Sequence, residues 1–465
     1  MPFWGAPREG GRRILELAAI AALFTGTLLY YTRRPGMATA YTIEEVRGLL
    51  AGTHLPPSDG GLASIQTNGL SKFTSPPHLL SSLPELPPSL ATASAAPSSS
   101  SSPRLIIIGD VHGQPGCLRA LLAEAGYDAA RGDRVVLAGD MINKGPDSAG
   151  VAALAMEHGF AGVRGNHEDK VLRIFALAEA VRAAGGDATA ADWEAALPKS
   201  DRAALATARS LTPDQRDWIA ARPLLLRIDA ADLVLGPGGN EMGEKPRDEV
   251  VVVHAGVVPG VPLENQDPWA LVNMRTLLYP SKKGKLRSED RAVFEVAVRT
   301  KLKDLHPTAA PPSDAEVEAE ERRLLERYAS RPPSGDDADD DDDSEPTAAE
   351  GKIPAAVPVD TREGRSWAKA WNEVQRGRPA GSGRTTVVYG HDARKGLNIQ
   401  EYTFGLDSGC IKGGRLTALV FEPDGAAETG VGRRFVSIPC QAADGQGSDK
   451  EGKSGKKDKG KDKKK

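Results

Sequence analysis

Five short fragments, each set directly after an apolar run, constrain this chain more than any other feature of its sequence. They are Gly109-Asp110-Val111-His112-Gly113, Gly139-Asp140-Met141-Ile142-Asn143-Lys144-Gly145-Pro146, Gly165-Asn166-His167-Glu168, His254-Ala255-Gly256 and Tyr389-Gly390-His391. The runs before them, at 105–108, 134–138, 161–164, 250–253 and 385–389, are short and continuous, as buried strands are. Helical spacing follows the first two fragments, over residues 115–126 and 147–158, and further strands are expected at 402–406 and 416–421. Alternation of strands with helices of this length predicts an α/β layered fold. In open α/β sheets ligands bind just beyond the carboxyl ends of strands, so the residues carried by the five fragments should converge.

Those residues share one kind of chemistry. Asp110, His112, Asp140, Asn166, His254 and His391 offer oxygen and imidazole donors suited to manganese, zinc, iron or cobalt, with no thiolate among them. Two divalent ions sharing a carboxylate and a water lower the water's pKa, so that it attacks phosphorus, and they neutralise charge on the phosphoryl oxygens. Such a centre needs several ligands from separate strands. Each fragment alone is weak; the ordered set is specific.

On these motifs the sequence resembles the calcineurin-like metallophosphoesterases of the phosphoprotein phosphatase superfamily. Within them it is most similar to the ApaH-like phosphatase class, which includes a fungal vacuolar endopolyphosphatase. The resemblance covers residues 104–172, 250–278 and 362–421. It implies a single catalytic domain built as a layered β-sheet sandwich flanked by helices, with two divalent metal ions. Asp110, His112 and a bridging Asp140 would hold one ion, and Asp140, Asn166, His254 and His391 the other. His167 would protonate the leaving oxygen or stabilise the transition state. Lys144, Arg275 and Asn166 would contact substrate phosphate, with Arg275 carried by a segment, Leu263-Glu264-Asn265-Gln266-Asp267-Pro268 to Asn273-Met274-Arg275, that also resembles the class. One departure stands out: where protein phosphatases carry an Asp-Arg pair after the second Gly-Asp, this chain has Asn143-Lys144. Asn143 brings no charge to the catalytic histidine, and Lys144 is a compact charge in place of a bidentate fork. The resemblance implies hydrolysis of phosphoanhydrides, inorganic polyphosphate first. A serine/threonine protein phosphatase and a dinucleoside polyphosphate or cap-type pyrophosphohydrolase are the alternatives.

Composition matters mainly outside the five fragments. Residues 14–32 carry a single charge, Glu16, and are flanked by arginines; as a helix they would span roughly 28 Å, close to the hydrocarbon core of a bilayer. Residues 1–35 therefore read as a membrane anchor of a single-pass endomembrane protein, with a vacuolar, lumenal catalytic domain as the favoured placement. Residues 36–103, rich in Ser and Pro, read as a linker, and 104–425 as the catalytic domain. An acidic insertion at about 282–358 and a lysine-rich tail at 426–465 are expected to be disordered. A net charge of −4 gives no reason to expect nucleic acid as a partner. Cys117, Cys410 and Cys440 are far apart in sequence, which argues against a disulfide scaffold or a thiolate zinc site. Trp367 and Trp371, four apart on an expected helix, read as packing residues.

Overall fold

The apolar runs become neighbouring strands because each is too short for a helix and apolar on both faces. The computed structural model of the chain describes residues 80–82, 103–229, 248–281, 285–305, 311–329, 353, 355–379, 381–423 and 431–442. Strand β1 (Leu80–Ser82) is followed by β2 (Leu105–Ile108), helix α1 (Pro115–Glu124), β3 (Arg134–Leu137), α2 (Ser148–Glu157) and β4 (Ala161–Gly162). Three helices come next, α3 (Asn166–Ala196, broken at Gly186), α4 (Lys199–Ser210) and α5 (Pro213–Ala220). Then follow β5 (Leu225–Asp229), β6 (Glu249–Val253), α6 (Pro268–Asn273), β7 (Thr276–Leu278), α7 (Ser288–Leu305) and α8 (Asp314–Ala329). The chain continues with β8 (Val357–Val359), β9 (Arg365–Ser366), α9 (Trp367–Gly377), β10 (Thr385–Tyr389), β11 (Asn398–Ile399), β12 (Thr403–Gly405), β13 (Arg415–Pro423) and β14 (Val431–Pro439).

Two sheets dominate, one in the order β1-β5-β6-β10-β12-β11 and the other β14-β13-β2-β3-β4; a small third sheet is β8-β7-β9. Alternation along the strands divides the core. Ile107, Val136, Val252, Val388 and Phe404 fill the space between the large sheets. Ile106, Ile108, Val135 and Leu137 pack outward against α1 and α2, while Val251, Val253 and Val387 pack against α6 to α9. Burying each such side chain contributes about 1.5–3 kcal/mol, so strands apolar on both faces are held from both sides. Because β2, β3 and β4 run parallel, as do β6, β10 and β12, every ligand-bearing loop leaves from a carboxyl strand end.

The folded part is larger than the sequence pattern predicts. The stretch expected as a disordered insertion supplies α7 and α8, whose Phe294, Val298, Leu302, Val317, Leu324 and Tyr328 are buried. Their charges are the reason the pattern differs from a core: Lys301 and Glu320, both buried, pair at 3.0 Å, and Arg323 meets Glu320 at 2.6 Å, so polar residues enter the core as satisfied pairs. The expected boundary at 425 also moves, since β14 pairs along all of β13 from Pro423↔Val431 to Arg415↔Pro439. Cys410 and Cys440, 30 residues apart, form a disulfide that ties β14 back to the loop before β13, a pairing that sequence spacing did not predict. Strand β1 arises inside the expected linker and pairs in parallel with the edge strand β5. Trp367 and Trp371 are buried on α9 as expected. Among the described residues no helix is long and apolar enough to cross a membrane; the expected anchor at 14–32, the aspartate block at 336–343 and the lysines after 442 lie outside them.

Candidate metal centre

The loops that leave the strand ends are tight, and their residues meet. His112, Asp140, Asn143, Lys144 and His391 all have positive φ, between 46° and 73°, which costs on the order of 1–3 kcal/mol per non-glycine residue and concentrates at functional sites. Two motif glycines show how closely these loops approach one another. A Cβ on Gly390 would lie 2.0 Å from Asp110 Oδ1, and one on Gly165 would lie 2.3 Å from Asp140 Oδ1. Glycine there lets a carboxylate ligand approach another strand's backbone.

Each carboxylate is held in place. The His391 backbone N–H donates to Asp110 Oδ1 and Oδ2 at 3.1 and 3.2 Å, and the His167 N–H donates to Asp140 Oδ1 at 3.0 Å. Around Asp140, Oδ1 faces His254 Nε2 at 3.3 Å, while Oδ2 faces His112 Nε2 at 3.6 Å and His167 Nε2 at 3.9 Å. His112 Nε2 also reaches Asp110 Oδ2 at 3.9 Å. Asp140 is thus shared between two sets of donors. Burial, then the neighbouring carboxylates Asp407 and Asp140, raises Asp110 well above the usual carboxylate range. Burial likewise raises Asp140 to about 7, against the opposing pull of Lys144.

A second cluster carries the test of fit for a cation. Asn166 Oδ1 lies 3.0 Å from His254 Nε2 and 3.2 Å from His391 Nδ1, and these two ring nitrogens are 3.2 Å apart. Burial lowers the pKa of both rings, that of His254 to about 4. The outer nitrogens face carbonyls, His254 Nδ1 at 3.0 Å from Ala138 O and His391 Nε2 at 2.9 Å from Asn273 O. A carbonyl only accepts, so in the neutral rings the protons sit on those outer atoms. Two imidazole lone pairs and an amide oxygen therefore point at one another with no proton between them. A divalent ion suits that arrangement, and carbonyls behind ligating histidines are its usual support.

The residues expected at the site are thereby brought together: Asp110, His112, Asp140, Asn166, His167, His254 and His391. Lys144 and Arg275 stand at the rim, acting on Asp140 and His391 through their charge. Arg275 is held by its Nη1 donating to Asp360 O at 3.1 Å, while its buried Nε has no partner among the described residues. Glu168, from the third fragment, has a role that the sequence alone does not assign. Fully buried, its carboxylate accepts from the backbone N–H of Asp140, Ile142 and Gly165 at 2.8, 3.0 and 2.7 Å, locking the Asp140 loop to the start of α3. An acidic residue in the third position of a helix was its signal.

Residues 103–291 match the calcineurin-like phosphoesterase family. The chain carries a calcineurin-like metallophosphoesterase domain and is a metal-dependent phosphohydrolase, a class whose members use divalent metal ions. Among its relatives, a symmetrical bis(5'-nucleosyl)-tetraphosphatase of Methylobacillus flagellatus is 26% identical over 346 residues, covering 73% of this chain and 96% of that protein. A namesake from Paracidovorax citrulli is 26% identical over 350 residues, covering 74% and 99%. Serine/threonine-protein phosphatase 1 of Salmonella typhimurium is 42% identical over 66 residues, 14% of this chain and 30% of that one.

Proposed function

We propose that the chain hydrolyses phosphoanhydride bonds and that linear inorganic polyphosphate is its substrate. In this reading Asp110, His112 and Asp140 hold one divalent ion and Asp140, Asn166, His254 and His391 the other. The ions, when bound, supply charge neutralisation and a nucleophile from water. The chain's own groups do the rest: Asn166 and Arg275 orient phosphate oxygens, Lys144 adds a compact positive charge, and His167 faces the leaving oxygen.

The observation that carries the substrate is the distribution of charge at the rim. Arg275, Arg362 and Lys395 lie close enough for their charges to act on one another, and Lys144 and Arg275 both act on His391. The aromatic pair Trp367 and Trp371 is buried and offers no face for a base to stack on. Arg362 and Lys395 both face Asp392, so Lys144 and Arg275 are the cations whose charge reaches the metal-ligand residues, a pair suited to phosphate oxygens. The tetraphosphatase relatives, whose name denotes an anhydride substrate, support the same bond type. The apolar segment 14–32 motivates a membrane-tethered placement, with protease protection of sealed vesicles as its measurement.

The test is direct. Full-length protein with manganese, zinc or cobalt is incubated in parallel with long-chain polyphosphate, diadenosine tetraphosphate and phosphoserine peptides. Shortened chains on a gel are expected. Nucleotide release alone would replace the substrate with a dinucleoside polyphosphate, and turnover confined to phosphopeptides would overturn the anhydride reading.

A further inference from the structure

The partner of a histidine's outer nitrogen decides what its inner nitrogen can do, and His167 differs from its neighbours in that partner. Where His254 and His391 face carbonyls, His167 Nδ1 faces Asn143 Nδ2 at 2.9 Å. Which end of the Asn143 amide points there is fixed from behind. The Lys144 backbone N–H lies 3.0 Å from the other amide atom, and a backbone N–H can only donate, so that atom is the oxygen. The Thr207 hydroxyl, from α4, donates to the same oxygen at 3.2 Å. The turn itself is anchored by the Asn143 N–H, which donates to Ser148 Oγ at 2.9 Å. The amide NH₂ therefore donates to His167 Nδ1, and the ring's single proton is left on Nε2, the atom facing Asp140 and the reaction centre.

We propose that Asn143, locked by Lys144 N–H and Thr207, is a positioning residue that makes His167 a neutral Nε2–H donor and thereby restricts the enzyme to leaving groups that depart as weak bases. Two consequences follow. With a proton on Nε2, His167 is not a metal ligand, although its Nε2 lies only 0.3 Å farther from Asp140 Oδ2 than that of His112, at 3.9 against 3.6 Å. And a ring already accepting at Nδ1 gives a hydrogen bond, not a full proton, to the leaving oxygen. In hydrolysis, water oxygen forms the new P–O bond, the old P–O bond breaks with its electron pair on the leaving oxygen, and water's proton passes to solvent. A phosphate oxygen of an anhydride carries that pair stably; the alkoxide of a serine or threonine ester does not, and needs the proton. The substrate class thus rests on the anhydride reading above, whereas the tautomer stands on geometry alone.

The experiment has two readouts. Proton-nitrogen spectra of the full chain, labelled with ¹⁵N at its eight histidines and assigned with H167Q, are recorded with and without zinc. His167 is expected to show a bare Nδ1 and a protonated Nε2 in both states, and Asn143→Asp is expected to place a proton on Nδ1; a protonated Nδ1 in the wild type overturns the proposal. Turnover is then measured over a series of aryl and alkyl monoesters graded by leaving-group basicity. The wild type is expected to lose rate steeply along the series. N143D should flatten the slope and raise alkyl ester turnover relative to the best aryl ester by about 10-fold or more, within the range of general acid catalysis. Equal slopes in the two proteins would also overturn it. Because the series contains no anhydride, failure of the polyphosphate assay leaves this result readable, and the reverse.

Discussion

Two regions of this molecule bury carboxylates equally well and treat them in opposite ways. At the strand ends, burial drives Asp110 and Asp140 up, and the positive charges in reach, Lys144 and Arg275, stand at the rim. Under α7 and α8, burial acts on Asp267 and Glu320 too, yet both end below the usual range because Lys301, Arg323 and Arg327 face them. The chain finishes the second set of charges itself. In the function proposed above, the first set is left for divalent cations. A buried carboxylate raised by its surroundings and met by imidazole lone pairs turned toward it is a candidate place for a metal; one lowered by the chain's own cations marks structure.

The comparison breaks most visibly at Asp140. Asp140→Asn keeps the shape but removes the shared negative charge, so turnover on whatever substrate is found is expected to fall at least about 10³-fold. Circular dichroism and the melting temperature of chelated protein should stay at or above wild type, because a buried like charge has gone. Retained turnover would show that the donors around Asp140 do not form the catalytic centre.

The next largest effect lies in the other region. Glu320→Ala removes the carboxylate that Lys301 and Arg323 share, in a core where Lys301 is only 5% exposed, and is expected to cost about 3–5 kcal/mol in urea unfolding. Replacing both partners, Lys301→Met with Glu320→Met, should recover most of that, because apolar side chains of similar volume satisfy the same space. Lys301 and Arg323, the partners of Glu320, also act on Asp267 at the start of α6. Asp267 caps α6 by accepting from the N–H of Trp269 and Ala270 at 2.9 and 3.3 Å, and α6 ends at Asn273, whose carbonyl holds His391. If the single and double variants lose equal stability, α7 and α8 are held by something other than this pair.

How much of this could be read from the sequence follows the same division. That Asp110, His112, Asp140, Asn166, His254 and His391 would meet was legible because each stands in a tight loop directly after a short apolar run, so the convergence is written in neighbouring residues. The α7–α8 pair was not, since Lys301 and Glu320 are unremarkable charges until folding sets them 3.0 Å apart. The same holds for Cys410 and Cys440, joined across 30 residues, and for β14, which is a strand only because β13 offers it an edge. Asn143 falls between these cases. Its departure from the Asp-Arg pattern was visible at once, but its effect on His167 required folding to bring that ring, 24 residues away, against its amide, with Thr207, 64 residues away, behind it.

The smallest effect is a dependence on pH, and it separates the two regions by sign. Asp140 stands near 3.8 in an unfolded chain and near 7 when folded without a cation; Glu168, buried beside it, is also raised to about 7. Between those values the native state holds more protons than the unfolded one, so the stability of chelated protein falls as pH rises from about 4 to about 7 and then levels off. For Asp267 and Glu320, whose folded values are lowered, the contribution is present above the unfolded value and is lost as pH falls below it. Melting temperatures of chelated protein should therefore drop by a few degrees between pH 5 and pH 8. Saturating manganese or zinc should remove that drop, because the ions compensate the ionised carboxylates, and Asp140→Asn should reduce it without any metal. Glu320→Gln should leave the drop intact and alter only the acid limb. A chelated wild type that gains stability over that interval would mean that the strand-end carboxylates are already compensated by the chain, and the distinction between the two regions would fail.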